Sequence, residues 1–143
     1  MFKSLLYSRF NPLPMVMPMR TAIALTGQRV IGVVYHTVCD AVPAHIRHLY
    51  LPRTVKIFTE DLDYLMRYYE PADLAQLKTI LLNREKPKKN LFFVSFDDGL
   101  REFYTQAAPV LLNKGIPATC FLNAAFTGNR DLFYRYKVSL LIE

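Results

Sequence analysis

The 143-residue chain has a formal net charge of +6, is 52% hydrophobic and 13% aromatic, and has two cysteines, Cys39 and Cys120. That length holds at most one domain, and the apolar content is ample for a packed core, which excludes a disordered chain. Two cysteines with no CxxC pair allow one bridge at most, so neither a disulfide scaffold nor a cysteine-based zinc site is indicated.

Residues 1–29 are basic and apolar: Lys3, Arg9, Arg20 and Arg29 all precede the first acidic residue, Asp40, and Pro12, Pro14 and Pro18 break the run. The segment reads as an extension suited to peripheral contact with an anionic membrane surface, or as a poorly ordered stretch, with Met19 an alternative start. The prolines make it a weak secretory signal. No run approaches the roughly 18 to 20 apolar residues that a membrane span needs.

The domain is predicted to occupy residues 30–143. Val30 to Tyr35 reads as its first strand, and His36, at the strand's end, is a candidate for lining a crevice, with a hydrogen-bonded strand-end histidine as the plain alternative. His45 and His48 are three residues apart, a spacing that serves metal ligands on a helix, but Pro43, Arg47 and Arg53 favour an exposed basic loop. Thr59 to Tyr69 reads as a helix, with Thr59 as its polar cap, Glu60 and Asp61 suiting the dipole, and Leu62, Leu65 and Met66 as the buried stripe. Pro71 is expected to open a second helical segment, with Leu74, Leu77, Ile80 and Leu81 on one face and Asn83 near its end. The basic cluster from Arg84 to Lys89 reads as a solvated loop. Neither interleaved aromatics nor a known module points to nucleic acid.

Leu91 to Phe96 is short, aromatic and β-branched, so it reads as a buried strand, stopped by a turn at Asp98-Gly99. In sheets whose strands alternate with helices, side chains just past the carboxyl ends of the strands face the ligand crevice, so Asp97 and Asp98 land where chemistry is done. Adjacent carboxylates repel each other unless a cation or a shared proton relieves them. Without further context, the same Asp-Asp-Gly also reads as a turn capping the next helix. That helix is predicted from about Arg101 to Lys114, ending at Gly115 and kinked or divided by Pro109; Arg101 and Tyr104, one turn in, face either a ligand or solvent. Pro117 to Asn123 reads as the next strand, with Cys120 as a small core residue. Asn123, at its end, is a candidate for lining the crevice, with turn capping as the alternative. Leu132 to Ile142 reads as a helix capped by Asp131 or Asn129. This order favours parallel pairing with right-handed crossovers.

The stretch FVSFDDGLREFYTQAAPVLLNKGIPATCFLN, from Phe93 to Asn123, closely resembles the first motif block of the polysaccharide deacetylase family, the NodB-homology or carbohydrate esterase family 4 domain. There a [T/S]FDDG motif is joined to a helix carrying a PxLLxKxGIPAT-like segment, here Ala108 to Leu112 and Lys114 to Thr119. Looser echoes are Val33-Val34-Tyr35-His36 and the helix from Phe58 to Tyr69. The resemblance implies an α/β fold, the amino-terminal part of a distorted (β/α) barrel. It implies Asp97 as the general base that takes a proton from a metal-bound water, and Asp98 as a ligand of a divalent metal, zinc or a similar ion. The attacked group is then an N- or O-acetyl carbonyl on a sugar. A metal lowers the pKa of its water and polarises the carbonyl, while a carboxylate in reach accepts the proton.

The chain also departs from the family. The family's H[S/T]xxH ligands, its groove arginine and its catalytic histidine have no counterpart after Gly99, where there is no histidine. A catalytic zinc site ordinarily takes three protein ligands. The expectation is therefore a truncated domain with an incomplete metal site, its open sheet edge covered by an oligomeric or complementing chain. The alternative is a catalytically incomplete carbohydrate-binding or interaction module that needs a partner to complete its fold. A metal-dependent phosphotransferase is set aside, because its carboxylates stand two apart. Many relatives act outside the cell, whereas this amino terminus favours a cytoplasmic or peripheral-membrane placement.

Overall fold

The computed structural model describes residues 18–143. The expectations for residues 1–17 lie outside the described residues. A four-stranded parallel sheet is built on β3 (Leu91–Asp97). One edge of β3 pairs along its length with β1 (Val30–Tyr35), from Val30↔Leu91 to Tyr35↔Phe96. Its other edge is shared: β2 (Glu70–Pro71) takes the start at Leu91 and Phe92, and β4 (Ala118–Phe121) takes the end from Val94 to Asp97. With both edges occupied, β3 is buried on both faces, and Phe92, Val94 and Phe96 are wholly inaccessible. This is the reason its sequence from Leu91 to Phe96 is apolar at every position but Ser95.

Helices cover the sheet. In α1 (Met19–Thr26), Met19 and Ile23 pack against the main core. The short α2 is Ala44–Arg47, and α3 is Val55–Met66. In α3 the apolar residues Phe58, Leu62 and Leu65 recur every three or four positions and bury one face against the sheet. The helix starts earlier than its sequence suggests, because Thr54 Oγ1 accepts from the Ile57 backbone NH and caps it. Thr59 instead lies inside the helix, with its hydroxyl donating to the Val55 carbonyl. Met66 is 43% exposed, so the third buried position of the stripe belongs to Phe58.

Pro71 is a strand residue and not the start of a helix. Glu70 NH and Ala72 NH, on either side of it, donate to the carbonyls of Asn90 and Phe92 at 2.8 Å, and proline's missing donor falls on the side that does not pair. The helix α4 (Leu74–Leu82) begins after Asp73, whose carboxylate accepts from Gln76 NH at 2.7 Å. Its Leu74 and Leu81 are exposed, so the expected apolar face is only partly covered, by way of Leu77 and Ile80.

The helix after β3 is divided, as Pro109 predicts. A π-helical turn (Phe103–Ala107) precedes α5 (Ala108–Lys114). Proline lacks an NH and its ring collides with the carbonyl four residues earlier, so the wider turn relieves the clash. The end is a Schellman motif: Gly115, at φ +65°, donates to the Leu112 carbonyl at 3.1 Å, and Ile116 NH to that of Leu111 at 2.9 Å. β4 is shorter than the predicted strand from Pro117 to Asn123. The last helix, α6 (Tyr134–Ile142), begins two residues later than expected, after Phe133 and without a side-chain cap; the Asp131 carboxylate is spent on Leu132 NH and Lys137.

A second, smaller cluster of Cys39, Ile46 and Tyr136 sits between α2 and α6. The hydroxyl of Ser139 locks the pair, donating to the Ala44 carbonyl at 2.9 Å and accepting from His48 NH at 3.3 Å. His45 therefore belongs to a packed helix and not to an open loop, whereas His48, at the helix's carboxyl end, is exposed. Both cysteines are free. Among the described residues no helix is long and apolar enough to cross a membrane.

Candidate active site

β3 delivers its last residue, Asp97, half-buried at the carboxyl end of the sheet. Alternation along the strand puts its side chain on the face of Phe93 and Ser95, opposite Phe96. Its charge adds, after burial, to the effects that push the neighbouring Cys120 thiol up. The chain then turns through two left-handed residues, Asp98 at φ +69° and Gly99 at φ +67°. Aspartate and glycine tolerate this region, as most residues do not.

Asp98 faces helix α6, where Tyr136 Oη donates to its Oδ2 at 2.6 Å. Tyr136 is 4% exposed. Burial, followed by the hydrogen bond to a carboxylate, pushes its phenol well above the ordinary range. Tyr50 extends the network, with its Oη 3.0 Å from Thr37 Oγ1 and its phenol also raised, chiefly by burial. Asp98 lies on the wall between two clefts. One, of about 620 Å³, is lined by His36, Tyr50, Phe133, Arg135 and Tyr136 as well as Asp98; the other, of about 430 Å³, brings His45, Arg101 and Glu102 to the same carboxylate. Such a mixture of aromatic faces and charged groups suits a polar ligand with an apolar face.

His36 thus shares a cleft with Asp98, while its ring stands 5.9 Å from that of Tyr50. His45 packs edge-on against Tyr136, and His48 Nε2 sits 3.3 Å from Glu143 Oε2, away from the clefts. Asn123 is exposed and its Oδ1 accepts from Ala125 NH at 3.1 Å, the turn-capping alternative. Tyr104 is 78% exposed on the helix surface. Tyr136, Tyr50, Phe133 and Arg135 are contributions that sequence reasoning missed. One available signal was the spacing of Tyr136 and Ser139, three apart on one face of α6 and both buried.

The donor set stops short of a metal centre: among the described residues, no group of three or more His, Cys, Asp or Glu side chains could hold an ion. The described residues alone do not fit a zinc site with three protein ligands.

A parallel α/β sheet with two carboxylates at the carboxyl end of its central strand has the form of part of a (β/α) barrel. Residues 84–137 match the family model for polysaccharide deacetylase. Among solved structures, IcaB from Ammonifex degensii is 26% identical, with a TM-score of 0.63 over 73% of this chain and 42% of that one. The Streptococcus pyogenes deacetylase PplD, solved with acetate, is 21% identical, with a TM-score of 0.61 over 79% and 52%. A de-N-acetylase from Aggregatibacter actinomycetemcomitans is also 21% identical, with a TM-score of 0.52 over 64% and 36%. At 21% identity the likeness is one of fold. No curated protein is similar enough to the chain to count as a match. Residues 84–137 thus correspond to a portion of a polysaccharide deacetylase domain. The chain spans about half the length, or less, of these structures.

Proposed function

We propose that the chain forms part of a metal-dependent carbohydrate deacetylase, which hydrolyses N- or O-acetyl groups on a glycan. The observation that carries this reading is the position of Asp97 and Asp98, at the carboxyl end of the central strand and inside the matched segment 84–137. Asp97 is assigned as the general base that accepts the proton of the attacking water. Asp98 is assigned as a ligand of a divalent metal, zinc or a similar ion. One of its oxygens accepts from Tyr136, and a carboxylate has a second to offer. A metal in such a site supplies Lewis acidity; its remaining ligands must come from outside the described residues, from further sequence or a second chain. The sugar is assigned to the cleft of His36, Tyr50, Phe133 and Tyr136.

The test is acetate release from acetylated chito-oligosaccharides and acetylated xylan, followed with zinc present. Release from either, abolished by Asp97→Asn, supports the reading; release that survives Asp97→Asn contradicts it. The shortage of metal ligands favours a second reading, a carbohydrate-binding module that works only with a partner. Under that reading the same oligosaccharides bind, tyrosine fluorescence reports it, and no acetate appears.

A further inference from the structure

The fold gathers two basic segments that are distant in sequence at the end of the sheet opposite Asp98. Arg29 immediately precedes β1, and its guanidinium donates to the carbonyls of Pro87 and Lys88 at 3.2 Å. The cluster that reads from sequence as a solvated loop is thereby tied to the start of the sheet. Arg20 and Arg29 join Arg84, Lys86, Lys88 and Lys89 there, all exposed. The nearby carboxylates are few: Glu70 is held by Lys89 Nζ at 2.6 Å, and Glu85 accepts from Asn83 at 3.0 Å. Between α1 and the loop lies a cleft of about 510 Å³ lined by Arg20, Arg29, Lys88, Lys89 and Asn90, large enough for a lipid headgroup.

Exposed aliphatic side chains accompany these charges. Leu25 is 71% exposed at the end of α1, and Leu81 and Leu82 are 75% and 71% exposed at the end of α4. Both helix ends lead toward the amino ends of strands β1 and β3, so the leucines and the cations occupy the same pole of the molecule. Cations alone suit any polyanion, but cations around solvent-exposed leucines suit the boundary between headgroups and acyl chains. Residues 1–17, which lead into α1, add Lys3 and Arg9 and no carboxylate.

We propose that this pole docks on the surface of an anionic lipid bilayer. The seven residues of β3 separate it from Asp97, a rise of about 20 Å. Docking in this way turns the cleft of Asp98 away from the bilayer, toward polymer in the surrounding water.

The experiment is flotation of the full chain with vesicles of phosphatidylcholine alone and of an equal mixture with phosphatidylglycerol. Lys86→Glu with Lys88→Glu is compared against a charge-matched pair at the other pole, Arg101→Glu with Arg130→Glu. Binding is expected only to the anionic vesicles and is expected to weaken with salt. The lysine pair is expected to lower it about tenfold or more, and the arginine pair to leave it within about twofold. Leu81→Ser with Leu82→Ser is expected to weaken binding without changing its salt dependence. Circular dichroism checks folding, and Lys86→Gln with Lys88→Gln gives a milder loss if the reversals unfold. Binding that survives the lysine variant, equal loss in both pairs, equal binding to neutral vesicles, or binding to RNA but to no vesicle overturns the proposal.

Discussion

Tyr136 Oη and Asp98 Oδ2 lie 2.6 Å apart, although 38 residues separate them in sequence. This bond joins α6 to the end of β3 and fixes the direction of the Asp98 carboxylate. Tyr136→Phe removes the donor and leaves a half-buried carboxylate short of a partner. Urea unfolding is expected to show a loss of about 1–3 kcal/mol. The double variant with Asp98→Ala is expected to lose less than the sum of the two single losses. Strict additivity would show that the two side chains are not coupled.

Gly99 completes the left-handed turn that follows β3. A Cβ added there runs into the Leu122 side chain, and the backbone stands at φ +67°. Gly99→Ala is expected to cost about 1–2 kcal/mol from the left-handed backbone alone, with more from displaced Leu122. In NMR spectra the largest shift changes are expected at Asp98, Leu122 and Tyr136; an undisturbed Tyr136 would show that the turn and the helix move independently.

The cap of α3 offers a local test of the fold. Thr54→Ala removes the bond to Ile57 NH and is expected to lower stability by about 1 kcal/mol. Thr59→Ala removes only an internal hydroxyl that bonds back to the Val55 carbonyl, and thermal melts are expected to show a smaller effect. The reverse order would place the start of the helix at Thr59.

Alkaline pH acts through Tyr35. Burial, followed by the negative charge of Asp61, pushes its phenol up to about 12 from an ordinary 10.0. Above pH 10.0 the unfolded chain loses this proton while the folded chain keeps it. The stability this provides is therefore complete below that value and falls as pH rises toward about 12. Tyr35→Phe has no such proton, so its unfolding free energy, measured by urea titration between these pH values, is expected to fall less steeply than that of the wild type. Parallel curves would remove Tyr35 as a cause.

The sheet was legible in the sequence wherever strands are buried on both faces. Leu91 to Phe96 is apolar but for Ser95, and the Asp98-Gly99 turn that follows needs residues tolerant of the left-handed region, so both leave a local signature. β2 leaves none, because two residues containing a proline carry no periodicity, and its pairing depends on β3 arriving later in the chain. The start of α3 was misplaced because Thr54 and Thr59 are both competent caps, and tertiary contact of Phe58 decides between them. The partner of Asp98 was hidden for a different reason. Apolar spacing in α6 draws attention to Leu140, Leu141 and Ile142, which are exposed, whereas the face that packs carries Tyr136 and Ser139.

Zinc titration by calorimetry, on the chain and on Asp98→Ala, tests most directly whether Asp98 is the carboxylate this domain presents to a metal. The assignment predicts a zinc-binding heat that Asp98→Ala abolishes. It also predicts weak binding by the chain alone, because the described residues gather no complete ligand set. Binding of equal strength in the chain and in Asp98→Ala would contradict the assignment and place the metal elsewhere.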